Sequence, residues 1–175
     1  MGPLRHPSQP ALNPGKMITV WSTRLRNVPL PEPFLLGIGA GLVLHRLRPR
    51  RLPGSDSVHH ALGWSLLGVG GALVASAWRA AGHVDLAHPV RLVSTGPYAI
   101  SRNPMYVGWG LLHLGAALTV GSAWIAATFP LAGIWLHRQV LQEERRLDAG
   151  FGEEFRQWRA TVPRYVGFRR PRRAR

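Results

Sequence analysis

From Asn103 to His137 the chain runs for 35 residues without an Asp, Glu, Lys or Arg. As one straight helix such a run would be about 52 Å long, well beyond the roughly 30 Å hydrocarbon core of a bilayer. Its length predicts a segment that enters an apolar phase and comes back. Gly121-Ser122 nearly halves the run and loosens a helix, which places the turn there, while Pro130 predicts a kink in the second arm. Each arm barely reaches across a bilayer, so the hairpin is expected to tilt or to be partly re-entrant. Polar groups crowd both ends. Gly96, Pro97, Tyr98 and the segment Arg102 to Gly108 precede the run, and Glu143 and Glu144 follow it. A hairpin would return the two glutamates to the face that already carries Arg102, Asn103 and Tyr106, so two distant segments would line one pocket.

Two other segments fit the same reading. Ser57 to Trp78 is uncharged over 22 residues, enough to span as a helix. Pro33 to His45 is shorter, and spans only if Glu32 and Arg46 snorkel to the interfaces or Leu30 and Leu47 join the helix. The expected order is a basic, loosely ordered arm (1–29), a membrane domain (30–166) and a basic tail (167–175). Within the domain, helices are expected near 33–47, 59–80 and 104–142, the last as a hairpin. The fold class is therefore an all-α integral membrane protein with about four transmembrane helices and a C-terminal cytoplasmic amphipathic helix. That last helix follows from Phe151, Phe155, Trp158 and Val162, which recur at helical spacing opposite Glu153, Glu154, Arg156 and Gln157, with Pro163 ending it. No small-x-small cleavage site follows the first apolar segment, so it reads as an uncleaved anchor.

The net charge of +14 first suggests nucleic acid. The basic residues, nearly all Arg, instead flank apolar segments, which is the distribution that membrane topology produces. Arginine-rich flanks on the Arg102 side predict a cytoplasmic, multi-pass orientation for the pocket, although Arg46, Arg48, Arg50 and Arg51 lie on the other side. The terminal arginine run reads as a solvated tail that touches anionic lipid, and no nucleic-acid partner is expected. The chain has no cysteine, which excludes disulfides, thiolate zinc sites and a cysteine nucleophile. Its eight histidines have no metal-ligand spacing, so no metal site is expected.

The polar residues have bland readings beside functional ones. Arg102 can bind a carboxylate or phosphate through its planar fork, or simply flank a membrane segment. Pro104 suits a first helical turn and leaves Asn103 as a possible cap. Tyr106 offers a phenol, and Gly108 permits close approach. Adjacent carboxylates on a helix point about 100° apart, so one of Glu143 and Glu144 is expected to face the pocket while the other pairs with an arginine. Gly68-Val69-Gly70-Gly71 favours close helix packing over room for a cofactor.

Taken together, Gly96-Pro97-Tyr98, Arg102-Asn103-Pro104-Met105-Tyr106-Val107-Gly108, Glu143-Glu144-Arg145, Phe151-Gly152-Glu153-Glu154-Phe155 and Val162-Pro163-Arg164-Tyr165 resemble the isoprenylcysteine carboxyl methyltransferase family and its phospholipid N-methyltransferase relatives. The resemblance covers roughly residues 60 to 166. It implies a small membrane enzyme that takes S-adenosylmethionine at the cytoplasmic face and a lipophilic or lipid-linked acceptor from the bilayer. It assigns cofactor contact to Gly96, Pro97, Tyr98, Arg102, Asn103, Pro104, Tyr106, Gly108, Glu143 and Glu144, with Gly68 and Gly70 as a possible glycine pair. The catalytic set it implies is Arg102, Glu143, Glu144 and Arg145. The family often has His where this chain has Asn103, and Asn cannot shuttle a proton near neutral pH. A carboxylate acceptor needs only a clamp, from Arg102 or Arg145, whereas an amine or alcohol needs a base; carboxyl O-methylation is therefore the favoured expectation. The alternatives are N- or O-methylation of a phospholipid or isoprenoid, an NADPH-dependent membrane reductase of the sterol-reductase type, and a noncatalytic membrane scaffold.

Overall fold

A computed structural model describes residues 31–82, 84 and 91–167, and among these the chain is helical. The basic arm before residue 30 and the arginine-rich terminus after 167 lie outside the described residues. Five helices follow in order: α1 (Glu32–Leu47), α2 (Asp56–Ala81), α3 (Pro104–Val120), α4 (Ala123–Phe151) and α5 (Glu153–Thr161), with a short 3-10 turn at Gly96–Ala99 before α3. Helix α2 is long and apolar enough to cross a membrane.

Sequence chemistry sets the boundaries. Pro104 starts α3, and Gly121 ends it in the left-handed conformation that a residue without a Cβ adopts at little cost. Ser122 then caps α4, its hydroxyl accepting from the Ile125 N–H. Helix α4 runs through Pro130. Gly152, at φ +52°, closes α4 and admits α5 after a single residue. Helix α5 buries Phe155 completely, with Val162 beside it, on the face that the helical spacing marks as apolar.

Small residues join α2 to α3. A Cβ at Gly70 would lie 2.7 Å from the Gly108 carbonyl oxygen, and one at Gly115 would lie 3.0 Å from the Gly63 carbonyl oxygen. The two backbones are therefore in contact at Gly63/Gly115 and Gly70/Gly108, seven residues apart on each helix, and Ala77 continues the stripe to Met105. Helix α1 approaches α4 the same way, since a Cβ at Gly41 would meet the Ile125 backbone at 2.7 Å. Phe34 of α1 packs with Ala132, Leu136 and Val140 of α4. His113, fully buried in α3, sits edge-on between Phe34 and Phe129 and shares the Ile125 carbonyl with Thr128, whose hydroxyl also reaches the Gly37 carbonyl.

At the end of the molecule where α3 meets α4, the α1–α2 loop is laid against the turn. The Leu52 N–H donates to Gly121 O, the Ala123 N–H to Arg50 O, and the Trp124 indole to Arg48 O at 2.7 Å. The Arg46 to Arg51 cluster thus belongs to this end, and the start of α3 and the later part of α4 belong to the other.

Outward faces are apolar: Leu35, Leu36, Val43, Leu62, Trp64, Val69, Leu131, Ile134 and Trp135 are all exposed. Patches of this kind on a chain of this size mark contact with another apolar phase.

The glycine contacts give a direct contrast. Gly70→Leu forces α2 off α3 and is expected to cost about 1–3 kcal/mol of stability, as overpacking does. Gly68→Ala, where an added Cβ meets nothing within 4 Å, is expected to be neutral or slightly stabilising through helix propensity. Thermal unfolding of the purified variants in one detergent measures both.

Candidate functional site

The chain folds so that three segments converge on one carboxylate. Glu144, on the last turns of α4, is 8 % exposed. Its Oε1 accepts from Arg102 Nη2 at 3.0 Å and from Arg164 Nε at 3.0 Å, and its Oε2 accepts from Arg164 Nη2 at 2.8 Å. Arg164 therefore holds the carboxylate with its two-pronged fork, and Arg102 closes on it from the loop before α3. The Arg102 side chain is as enclosed as the glutamate, at 7 %, while that of Arg164 is 34 % exposed. Burial pulls the Arg102 guanidinium below its ordinary pKa despite the opposing pull of Glu144. The same carboxylate raises Arg164, whose desolvation is slight. The opposite directions follow from the difference in burial, and both guanidiniums carry charge at any physiological pH.

Backbone contacts hold this arrangement in register. The Arg102 N–H donates to Pro163 O at 2.9 Å, and Arg102 Nη1 to Arg159 O at 3.4 Å. The Asn103 side-chain amide donates to Arg164 O at 3.0 Å, and the Ser101 hydroxyl to the same oxygen at 3.3 Å. Asn103 makes no side-chain cap of α3. It ties the C-terminal segment to the start of the helix, a task that a side chain with an amide performs without any proton exchange.

Glu143 faces elsewhere, as a 100° step along a helix requires. It is partly buried, and its carboxylate interacts with the nearby Tyr106 phenol. Burial raises its carboxyl pKa above the ordinary value; the Tyr106 interaction opposes that rise, and neighbouring Glu144 adds to it. The nearby Tyr98 phenol is pushed up to about 12 by burial and then by the Glu143 charge. Tyr98 is anchored through its backbone, where its carbonyl accepts from the Trp158 indole at 3.2 Å, and Gly96 begins this turn at φ +59°. The Pro97 carbonyl accepts from both Ile100 and Ser101 N–H groups, so Gly96, Pro97 and Tyr98 form the ledge from which Arg102 projects.

Beside the polar cluster lies a cavity of ≈ 750 Å³ between α3 and α4. Phe34, Leu111, Leu114, Phe129 and Ile134 are among its apolar walls, and Tyr106, His137, Arg138 and Tyr165 supply its polar groups. His137 Nδ1 and the Tyr165 hydroxyl are 3.0 Å apart.

The sequence-predicted residues divide into three groups. Arg102, Asn103, Tyr106, Glu143 and Glu144 come together with the Gly96-Pro97-Tyr98 turn, and Pro104 starts the helix that carries Tyr106. Gly70 and Gly108 are taken up by the α2–α3 contact, and Gly68 is exposed with open space around its Cα. Arg145 is exposed and turns its Nε to the Leu141 carbonyl of its own helix at 3.2 Å, so it takes no part in the cluster. Arg164, which was not among the expected site residues, pairs with Glu144 instead. Its signal in the sequence was its place directly after Pro163, where the chain leaves an amphipathic helix and must fold back.

Removing the Glu144 charge leaves two guanidiniums facing each other in an enclosed site. Glu144→Gln is expected to destabilise the protein by about 3–5 kcal/mol, the cost of breaking a buried ion pair from one side. Arg145→Gln is expected to change stability by less than about 0.5 kcal/mol, as at an ordinary surface position. Glu143 yields a pH test. A folded-state carboxyl pKa above the unfolded value means that native protein binds the proton more tightly, so stability falls as pH rises through the unfolded and then the folded pKa. Glu143→Gln is accordingly expected to raise Tm at pH 8 relative to the parent and to lose that advantage at pH 4, measured by thermal unfolding at both pH values.

No curated protein matches the chain. A sequence profile described as phospholipid methyltransferase matches residues 58–154, which spans α2, the polar loop, α3, α4 and the start of α5 and so includes Arg102, Tyr106, Glu143 and Glu144. That match covers more than half of the 175 residues, and the chain belongs to the phospholipid methyltransferase family, a family of membrane methyltransferases related to the isoprenylcysteine enzymes.

Proposed function

We propose that the protein transfers the methyl group of S-adenosylmethionine to a lipophilic acceptor whose tail lies in the α3–α4 cavity. The observation that carries this reading is the position of Tyr106. It lines the apolar cavity and its phenol interacts with the Glu143 carboxylate, so tail pocket and polar cluster share one residue.

The polar cluster has groups that suit the cofactor. Arg102 Nε is buried and has no hydrogen-bond partner, a donor placed to meet a carboxylate. Glu143 is an acceptor for hydroxyl or ammonium groups. The cofactor supplies an electrophilic methyl on a sulfonium. The protein's part is to align the acceptor with that methyl and to exclude water, which suits an enclosed cluster at the edge of an apolar cavity. Glu144, held by Arg102 and Arg164, fixes the wall of the site rather than reacting.

In the membrane, we read α1, α2, α3 and the uncharged part of α4 as four spans, with α3 and α4 as the hairpin. Helix α1, 16 residues and about 24 Å long, crosses only with snorkelling at its ends. The exposed apolar residues on α1, α2 and α4 then meet lipid, and the arginine-rich ends support a multi-pass reading with the cluster at the cytoplasmic face and no nucleic-acid partner.

Carboxyl O-methylation is the second reading, favoured by Arg138, a cation on the cavity wall. Arg102 and Arg164 are engaged by Glu144 and Arg145 by its own helix, so the clamp would fall to Arg138. For the reductase, a phosphate-binding basic set is required, and Arg48, Arg50 and Arg51 stand at the opposite end of the bundle.

In lipid nanodiscs, S-adenosylhomocysteine is expected to bind, with at least about a tenfold loss in Glu143→Gln, corresponding to roughly 1.4 kcal/mol. Labelled methyl is expected to appear in a lipophilic product from a host lipid extract. Binding of NADPH without S-adenosylhomocysteine would establish the reductase instead, and binding of neither, with no labelled product, the scaffold.

A further inference from the structure

Among the cavity walls, one ring has the attributes of a proton acceptor. His137 lines the ≈ 750 Å³ cavity, and its Nδ1 lies 3.0 Å from the Tyr165 hydroxyl, with ring centroids 6.0 Å apart. Among the described residues the Nδ1 contact with Tyr165 is the hydrogen bond that joins this imidazole to the protein, and the residue lines the cavity. An imidazole held at one nitrogen by a fixed oxygen, with the other directed at a substrate, is the arrangement of an oriented general base. Histidine is also the side chain able to exchange a proton near neutral pH, the capacity that Asn103 lacks. Asn103 is committed to the Arg164 carbonyl and does not line the cavity.

We infer that His137, oriented by Tyr165, is the base of the reaction, and that the acceptor is therefore a lipophilic amine or hydroxyl that still bears a proton on the atom to be methylated. This rests on the methyl-transfer reading and deepens it. As the acceptor nitrogen or oxygen forms its new bond to the methyl carbon, its proton passes to His137 Nε2. The carbon–sulfur bond breaks, its electron pair stays on sulfur, and the sulfonium becomes a thioether. The role fixes the tautomer: Nδ1 carries the hydrogen and donates it to the Tyr165 oxygen, a bond that strengthens as the ring becomes cationic. Tyr165 is then a positioning residue. A carboxylate acceptor has no such proton to lose and would leave His137 idle.

The polar groups that line the cavity with the ring are Arg138 on its own helix, Tyr106 from α3 and Tyr165 from the C-terminal segment, with α1 contributing the uncharged Phe34. Tyr165 has a raised pKa, first through burial, so it remains a neutral phenol where the enzyme works. Arg138 is the only fixed charge lining the cavity among the described residues, and it too is unaltered at neutral pH.

Two measurements on the full chain in nanodiscs test the inference. In the cofactor-free protein, nitrogen-15 NMR of the histidine rings, assigned with His137→Gln, is expected to show the Nδ1–H tautomer and to lose that preference in Tyr165→Phe. With labelled cofactor and a panel of long-chain amines, alcohols and carboxylic acids, the parent is expected to methylate the amines or alcohols. His137→Gln is expected to lower kcat at least about 100-fold, with S-adenosylhomocysteine affinity kept within about threefold. An Nε2–H tautomer, a kcat in His137→Gln within about threefold of the parent, or transfer to carboxylates alone overturns the base while leaving methyl transfer standing. A parent protein that neither binds S-adenosylhomocysteine nor transfers methyl overturns both.

Discussion

Everything at the polar end of the molecule is organised around the Glu144 carboxylate. It receives Arg102 from the loop that starts α3 and Arg164 from the segment that follows α5, and so joins three parts of the chain. Two cations on one anion form a net positive group, which is costly to enclose without further hydrogen bonds. The surrounding carbonyls of Arg159, Pro163 and Arg164 take donors from Arg102, Ser101 and Asn103 and so keep the triad in position. Placed this way, the ion triad is a clasp. It fixes the ledge at Gly96–Ala99, the first turn of α3 and the lid formed by the C-terminal segment relative to one another, and the cavity opens beside it.

The opposite end is held by different means. There the α1–α2 loop is bonded through its backbone to the α3–α4 turn, and the helices between the two ends meet through glycine. Close backbone contact and a few hydrogen bonds join these helices. The buried His113–Thr128–Ile125 set, joined to Gly37 of α1, is one such connection in the middle of the bundle. The Gly63/Gly115 and Gly70/Gly108 contacts are another.

Much of this was legible in the sequence, and the limits have identifiable causes. A charge-free run too long for one crossing, with Gly121 near its middle, located the break between α3 and α4, because no other position combined a glycine with a serine able to cap the next helix. Helix α5 was readable from the spacing of Phe151, Phe155, Trp158 and Val162. The phase of α4 was not. Glu143 and Glu144 are interchangeable in a string of letters, and only the packing of Leu136 and Val140 decides that Glu144 turns toward the arginines and Glu143 toward Tyr106. Arg145 adjoins the glutamates in sequence, and nothing in the string of letters marks Arg164 as their partner. The reversal at Gly152 then carries Arg164 back to Glu144, while Arg145 follows the helix outward. The glycines of α2 illustrate the same limit, since Gly68 and Gly70 differ only in which side of one helix they occupy.

The cavity owes its volume partly to what its walls lack. Gly110 and Gly133 both line it; a Cβ at Gly133 would meet nothing within 4 Å, and one at Gly110 would stand in ordinary contact with Phe34 and Phe129 at 3.7 Å. Neither glycine has the positive φ that would penalise a side chain. Larger residues at these two positions would take up space in the cavity and leave the helix contacts and the Glu144 clasp untouched. The bundle is thus built so that the dimensions of this cavity can drift by single substitutions that leave the contacts holding the helices together in place.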